Sequence, residues 1–248
     1  MTSPIEIYTD PYIVIYRRVP PVRDGVCSIC HTGTGPGYAT CNSCALTSGQ
    51  VAYPVRRILP ISLYEVPNQY WTVLRYYKDD PRPEVREHLG TVLAATIARF
   101  TARHWPCIST MMGGEPSIVT TVPSTGPRQG QHPLARAVRR SSHLLPLYAD
   151  VLQRGSGAVR HRCASDDAFL TTLDLRGHRV LLIEDTFTTG ARTQSAASRL
   201  YIAGARAVGV VVAGRVIDPN WNDNCQAVWN YACGVQFAFD VCCLCAQH

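Results

Sequence analysis

Lysine is nearly missing from this 248-residue chain: Lys78 is the only one, and every other member of the 24 basic side chains is arginine. Arginine presents a rigid fork of donors that suits phosphate oxygens. Long apolar runs are missing too. None reaches the roughly 18 residues that a membrane span needs, so no membrane partner is expected. Charge is sparse, at 17% of residues against 46% hydrophobic, which excludes a disordered chain. The formal net charge of +6 is spread without a basic run, so nucleic acid is not the expected partner. The opening Met1-Thr2-Ser3-Pro4-Ile5-Glu6 lacks the basic and apolar regions of a signal peptide, and a cytoplasmic location is expected. In that compartment the 11 cysteines read as metal ligands or free thiols and not as disulfides.

No internal repeat or low-complexity tract interrupts the chain. Alternating apolar side chains at residues 5–18, broken by Asp10-Pro11, predict two short strands around a turn. Further strands are expected over 51–77. Residues 83–104 place Val85, Leu89, Val92, Leu93, Ile97 and Phe100 on one helical face, with Trp105-Pro106 ending the helix. A strand at 117–122, a helix at 133–152, a loop at 153–167, a strand at 180–183, a helix at 192–203 and a strand at 207–212 follow. Strands that are apolar throughout and alternate with helices argue an α/β fold, a parallel sheet flanked by helices. A boundary near residue 110 divides an N-terminal part, 1–110, from an α/β core with a cysteine-rich tail, 111–248.

The most informative segment is Val180-Leu181-Leu182-Ile183-Glu184-Asp185-Thr186-Phe187-Thr188-Thr189-Gly190-Ala191-Arg192-Thr193. A buried strand delivers two acids to its carboxyl end, where open α/β sheets bind ligands. A small-residue turn then opens a helix, whose N-terminal amides make an anion site. Acids beside a phosphate site call for something hydroxylated between them, and a ribose supplies it. The segment resembles the ribose-phosphate signature of type I phosphoribosyltransferases. The resemblance implies that Glu184 and Asp185 hold ribose hydroxyls. It also implies that the residues from Thr186 to Thr193 wrap the 5-phosphate of 5-phosphoribosyl-1-pyrophosphate (PRPP). One position departs from that pattern: Arg192 stands where the family commonly has Ser or Thr, and Thr193 follows one step later.

Three further parts fit by position. Ser124, Thr125 and Arg128, in the turn-rich stretch after the strand at 117–122, suit a pyrophosphate loop. Arg160, His161 and Arg162, among glycines, suit a mobile flap over a leaving group. Lys78, in Tyr76-Tyr77-Lys78-Asp79-Asp80, supplies one compact cation. The whole arrangement is similar, over residues 26–215, to the competence-protein-F (ComF) type of phosphoribosyltransferase-like protein. That implies the type I phosphoribosyltransferase fold with a small N-terminal zinc-ribbon or hood lobe.

Cys27-Ser28-Ile29-Cys30 and Cys41-Asn42-Ser43-Cys44 form two Cys-x-x-Cys knuckles, whose four thiolates can close a structural tetrahedral zinc (Zn2+) site. Cys242 and Cys245 make a third knuckle and a candidate second site. Cys225, Cys233 or His248 can add ligands to it, or it can pair with one N-terminal knuckle instead. Cys107 and Cys163 read as packing residues.

The activity implied by the resemblance is transfer of phosphoribosyl from PRPP, with Mg2+, to a nitrogen of a nucleobase or of an ammonia-like acceptor, releasing pyrophosphate. Trp221 offers a face for stacking a base. Two other classes stay open: a non-catalytic sensor of PRPP or a nucleotide, and a DNA-uptake-associated factor. The fold class commonly dimerises, which leaves a homodimer open.

Overall fold

The computed structural model describes residues 4–124 and 131–245. Its elements run α1 (Pro4–Thr9), α2 (Asn42–Ser48), β1 (Leu59–Tyr64), α3 (Gln69–Asp79), α4 (Pro83–Arg103), α5 (Trp105–Met112), β2 (Ile118–Thr121), α6 (Pro133–Val138), β3 (Gln153–Arg154), β4 (Phe169–Leu170), β5 (Arg179–Phe187), α7 (Ala191–Ile202), β6 (Ala207–Val216) and α8 (Asp223–Gly234). Four strands form one parallel sheet in the order β1-β6-β5-β2. The edge strand β1 comes from the N-terminal part of the chain and pairs in register with β6, Leu59 opposite Val211.

Alternate side chains of each strand serve opposite faces. Leu181, Ile183, Val211 and Ala213 pack with Tyr70, Leu74, Ile97, Phe100 and Ile108 of α3, α4 and α5. Val180, Leu182, Val210 and Val212 pack with Ala196, Ala197 and Leu200 of α7. Both faces being covered is why these strands are apolar throughout. Each fully buried Leu, Val or Ile contributes about 1.5–3 kcal/mol relative to exposure. No helix among the described residues is long and apolar enough to cross a membrane.

Several expected elements take another form. Residues 5–18 are not strands: α1 is followed by a 3-10 turn at Asp10–Ile15. Arg99 on α4 gathers Thr9 (2.7 Å) and Asp10 (2.5 Å), so a tertiary anchor overrides the alternating pattern, and Ile7 and Val14 stay exposed. Within 51–77 only β1 is a strand. The aromatic run is helix α3, started by Asn68, whose side chain accepts from the Trp71 amide at 2.7 Å. The helix expected at 133–152 stops at Val138, and Pro146 then sits in a short 3-10 turn. Residues 83–104 hold to expectation as α4, and Pro106 opens α5 instead of closing the chain's helical stretch.

Candidate functional site

β5 ends at Phe187, and the chain turns through Thr188, Thr189 and Gly190 into α7 at the carboxyl edge of the sheet. Gly190 takes φ +83°, and a Cβ there would lie 2.5 Å from the Phe187 ring, so only glycine fits this bend. Gln194 is the first residue of α7 to donate its amide back along the helix, 2.8 Å to Gly190 O. Among the described residues, the amides of Thr189, Gly190, Arg192 and Thr193 donate to no protein group. Four amides around one bend make a concave donor surface for an anion. A cavity of about 290 Å³ opens on it, lined by the bend, Glu184 and the loop residues Val159, Arg160 and His161.

Glu184 and Asp185 are 1% and 2% exposed. As neighbours on a strand they serve opposite faces, and their partners differ accordingly. Asp185 Oδ2 receives Lys78 Nζ and Tyr77 Oη, each at 2.5 Å, from the end of α3. Burial works against its charge, yet Lys78 and Arg192 hold its pKa well below the usual carboxylate range. Glu184 accepts the Thr193 hydroxyl and lies 3.4 Å from Arg192 Nε. Burial raises its pKa, and Arg192 only partly opposes that. The acids therefore do not act as one pair facing the cup: Glu184 lines it and Asp185 lies behind it, clamped to α3.

Thr186 to Thr193 all line the cavity at the bend, and several of their side chains have protein partners of their own. Phe187 is a core residue that supports the bend, with the Arg215 guanidinium 5.2 Å from its ring. The Thr193 hydroxyl belongs to Glu184. Thr189 Oγ1 accepts from the Arg162 amide at 3.3 Å, so this threonine also braces the flap. Ala191 is buried, and Thr188 alone of the bend presents an exposed side chain. Arg192 reaches Pro123 O at 3.2 Å and ties the loop after β2 to the start of α7. Ser124 is half-buried beside it, while Thr125 and Arg128 lie outside the described residues.

The flap is anchored at its base. β3 pairs with β4, and Ser165 and Asp166 bond to Ser195 and Ser198 of α7 at 2.9 and 2.5 Å. A tight turn, Arg160 paired with Cys163, carries the exposed Arg160 and His161 and the half-buried Arg162 over the bend.

Arg215, at the end of β6, belongs to no motif in the sequence. It is buried, and its Nη1 donates to Phe187 O (3.2 Å), Thr188 O (2.9 Å) and Val216 O. Its other neighbours are the knuckle thiols, Cys30 foremost, and their charge raises its pKa against the cost of burial. Tyr77 is a second such residue: nothing in the sequence sets it apart from Tyr76.

Cys27, Cys30, Cys41 and Cys44 are all buried, with their sulfurs within 4.8 Å of one another. Cys30 and Cys41 Sγ lie 3.7 Å apart, against about 3.8 Å for the edge of a zinc–thiolate tetrahedron. Burial disfavours a charged Cys30, yet hydrogen bonds from Cys27, Cys41 and Cys44 and the charge of Arg215 hold its pKa well below the ordinary thiol value. The set fits a metal ion such as zinc. It also adjoins the bend: Thr47 of α2 donates to Thr189 O at 3.3 Å. A second group, His104, Cys107, Cys242 and Cys245, can likewise hold a metal ion. Cys107 packs partly buried against the core, as expected, and also faces this group, whereas Cys163, expected to pack, is exposed. Cys225 is buried apart from this group and Cys233 is exposed. His248 lies outside the described residues.

A second cavity, about 670 Å³, shares His161, Thr188 and Thr189 with the first and runs between the knuckle and the end of β6. Trp221, 63% exposed, lines it with Tyr38 and Asp218, and the Arg162 guanidinium lies 6.0 Å from the Trp221 ring.

No protein-family model matches the chain, and a search of curated proteins returns no match.

Proposed function

We propose that the chain is a type I phosphoribosyltransferase of the ComF kind. It binds Mg2+-PRPP with the 5-phosphate on the bend after β5 and moves the phosphoribosyl group to a nitrogen acceptor. The observation that carries this reading is the set of four unpaired amides at the carboxyl edge of a parallel sheet, faced by Arg160 and His161. A dianionic phosphate monoester satisfies those amides and the positive end of the α7 dipole together. Glu184, at the rim of the same cup, is the acceptor for ribose hydroxyls.

In the transfer the bond from the anomeric carbon to pyrophosphate breaks and a carbon–nitrogen bond forms. Pyrophosphate leaves, and the acceptor nitrogen loses its proton to solvent. Such a reaction needs positioning and charge stabilisation more than a protein nucleophile. Mg2+ would neutralise the leaving pyrophosphate. In this reading Arg160 of the flap turn takes up charge on the departing pyrophosphate, while His161 and Arg162 border the second cavity. The second cavity, with Trp221 as a flat wall, is the acceptor's place. Zinc on Cys27, Cys30, Cys41 and Cys44 is structural in this scheme, because four protein thiolates leave no open coordination position.

Occupied carboxylates favour one alternative. Asp185 is clamped by Lys78 and Tyr77, and Glu184 by Thr193 and Arg192, an arrangement that suits a site which binds PRPP without turning it over. Pyrophosphate release from Mg2+-PRPP across a panel of nucleobases and ammonia separates the two. Transfer predicts release that requires one acceptor and vanishes in Gly190→Ala. Saturable PRPP binding with no release under any acceptor would establish the sensor instead.

A further inference from the structure

We propose that His104, Cys107, Cys242 and Cys245 form a second structural zinc site, which fastens the C-terminal turn to the junction of α4 and α5. This assignment does not depend on the phosphoribosyl reading.

All four donor atoms lie within 4.8 Å of one another. Cys242 and Cys245 Sγ are 3.5 Å apart, and His104 Nδ1 is 4.0 Å from Cys107 Sγ and 3.9 Å from Cys245 Sγ. A zinc ion with three thiolates and one imidazole has sulfur–sulfur edges of about 3.8 Å and sulfur–nitrogen edges of about 3.6 Å. The donors come as His-x-x-Cys from the first turn of α5 and the residue before it, and as Cys-x-x-Cys from the tail.

The imidazole is set for this task. His104 Nε2 lies 2.8 Å from Phe239 O, and a carbonyl can only accept, so the ring proton sits on Nε2. Nδ1 then turns a lone pair toward the sulfurs. A metal-bound histidine is usually held in this way, by a carbonyl on its far nitrogen. Phe100 packs on the ring at 4.6 Å between centroids and fixes its plane. Soft sulfur donors with no carboxylate among them select zinc over magnesium or calcium. Four protein donors also close the coordination sphere.

The site has a purpose in the fold. It adds to a tail already seated on the core: Phe237 and Phe239 are buried against Tyr16, Arg99 caps Phe239 at 4.4 Å, and Asp240 pairs with Arg103 at 3.4 Å. Between the two proposed ligands of the tail, Cys243 points the other way, 3.4 Å from His31 Nε2, beside the first knuckle. One turn of tail thus reaches both cysteine groups.

The test is zinc content of the full chain, purified in reductant and measured by plasma mass spectrometry. We expect two zinc per chain in the wild type and in Cys163→Ser, whose thiol is exposed and remote. A Cys107→Ser/Cys242→Ser double variant should hold one, and its loss of zinc to a chelator should be monophasic. Should that variant fail to fold, alkylation of the wild type decides. Cys107 and Cys245 are half-exposed, so protection from iodoacetamide that a chelator abolishes supports a bound ion. A single zinc that survives Cys107→Ser/Cys242→Ser, chelator-independent alkylation, a Cys242–Cys245 disulfide in the wild type, or iron in place of zinc would each overturn the proposal.

Discussion

At the scale of single residues, Lys78 and Asp185 are the most consequential pair. The lysine side chain is 17% exposed and the carboxylate 3%, so the ion pair is largely withdrawn from water. Removing one partner of such a pair strands the other, at a cost of about 3–5 kcal/mol. Lys78→Met should lose about that much in urea denaturation, Asp185→Asn less, and the double variant clearly less than their sum. The pH dependence follows from the direction of the shift. Asp185 is held below its ordinary value, so its contribution is complete above the unfolded carboxylate pKa, about 3.9, and drains away as pH falls toward the folded value. Asp185→Asn should therefore flatten the acid limb of the stability curve below about pH 4. Glu184 has the opposite sign: burial raises its pKa, and acid relieves a cost instead of removing a gain. At Gly190 the backbone and the Phe187 ring both forbid a side chain. Gly190→Ala should cost about 1–3 kcal/mol of stability and abolish binding of ribose 5-phosphate in calorimetry.

At the scale of elements, β5, the bend and α7 were readable in advance because each level agreed: an apolar strand, two acids, small residues, one obligatory glycine and a helix start. The same holds for α4, where one apolar stripe runs over several turns. The misread elements share a cause. Residues 5–18 alternate like a strand, yet Arg99, some ninety positions away, gathers Thr9 and Asp10 and makes a helix cheaper than a strand with no sheet to join. Residues 69–79 are rich in aromatics, which favour strands by composition, but Asn68 caps them into α3. The site was legible as a list and not as a geometry. Adjacent acids on a strand must diverge, and the sequence could have said so; that Lys78 and Tyr77 would meet Asp185 could not be read, because α3 was not expected. Arg215 lacked any motif, yet it is the strut between knuckle and bend. Arg215→Gln should weaken PRPP at least tenfold and speed zinc loss to a chelator, since the carbonyls of Phe187 and Thr188 and the Cys30 thiolate lose one shared partner. Unchanged affinity with a normal metal content would refute that strut.

At the scale of the molecule, the N-terminal part and the sheet are not independent. β1 extends the sheet beside β6, Gln194 of α7 bonds both backbone groups of Val55, and Thr47 reaches the bend. The knuckle is thus a wall of the second cavity as well as a brace for the first. The cysteine knuckle and the anion cup should rise and fall together, a coupling no local pattern discloses. What the account rests on is the location of a phosphate. A crystal soaked with PRPP and Mg2+ tests it directly. The prediction is density for the 5-phosphate within hydrogen-bond reach of the Thr189, Gly190, Arg192 and Thr193 amides, with the ribose toward Glu184 and the pyrophosphate under Arg160. Phosphate density at any other place on the sheet edge, or an empty bend at millimolar PRPP, would contradict it.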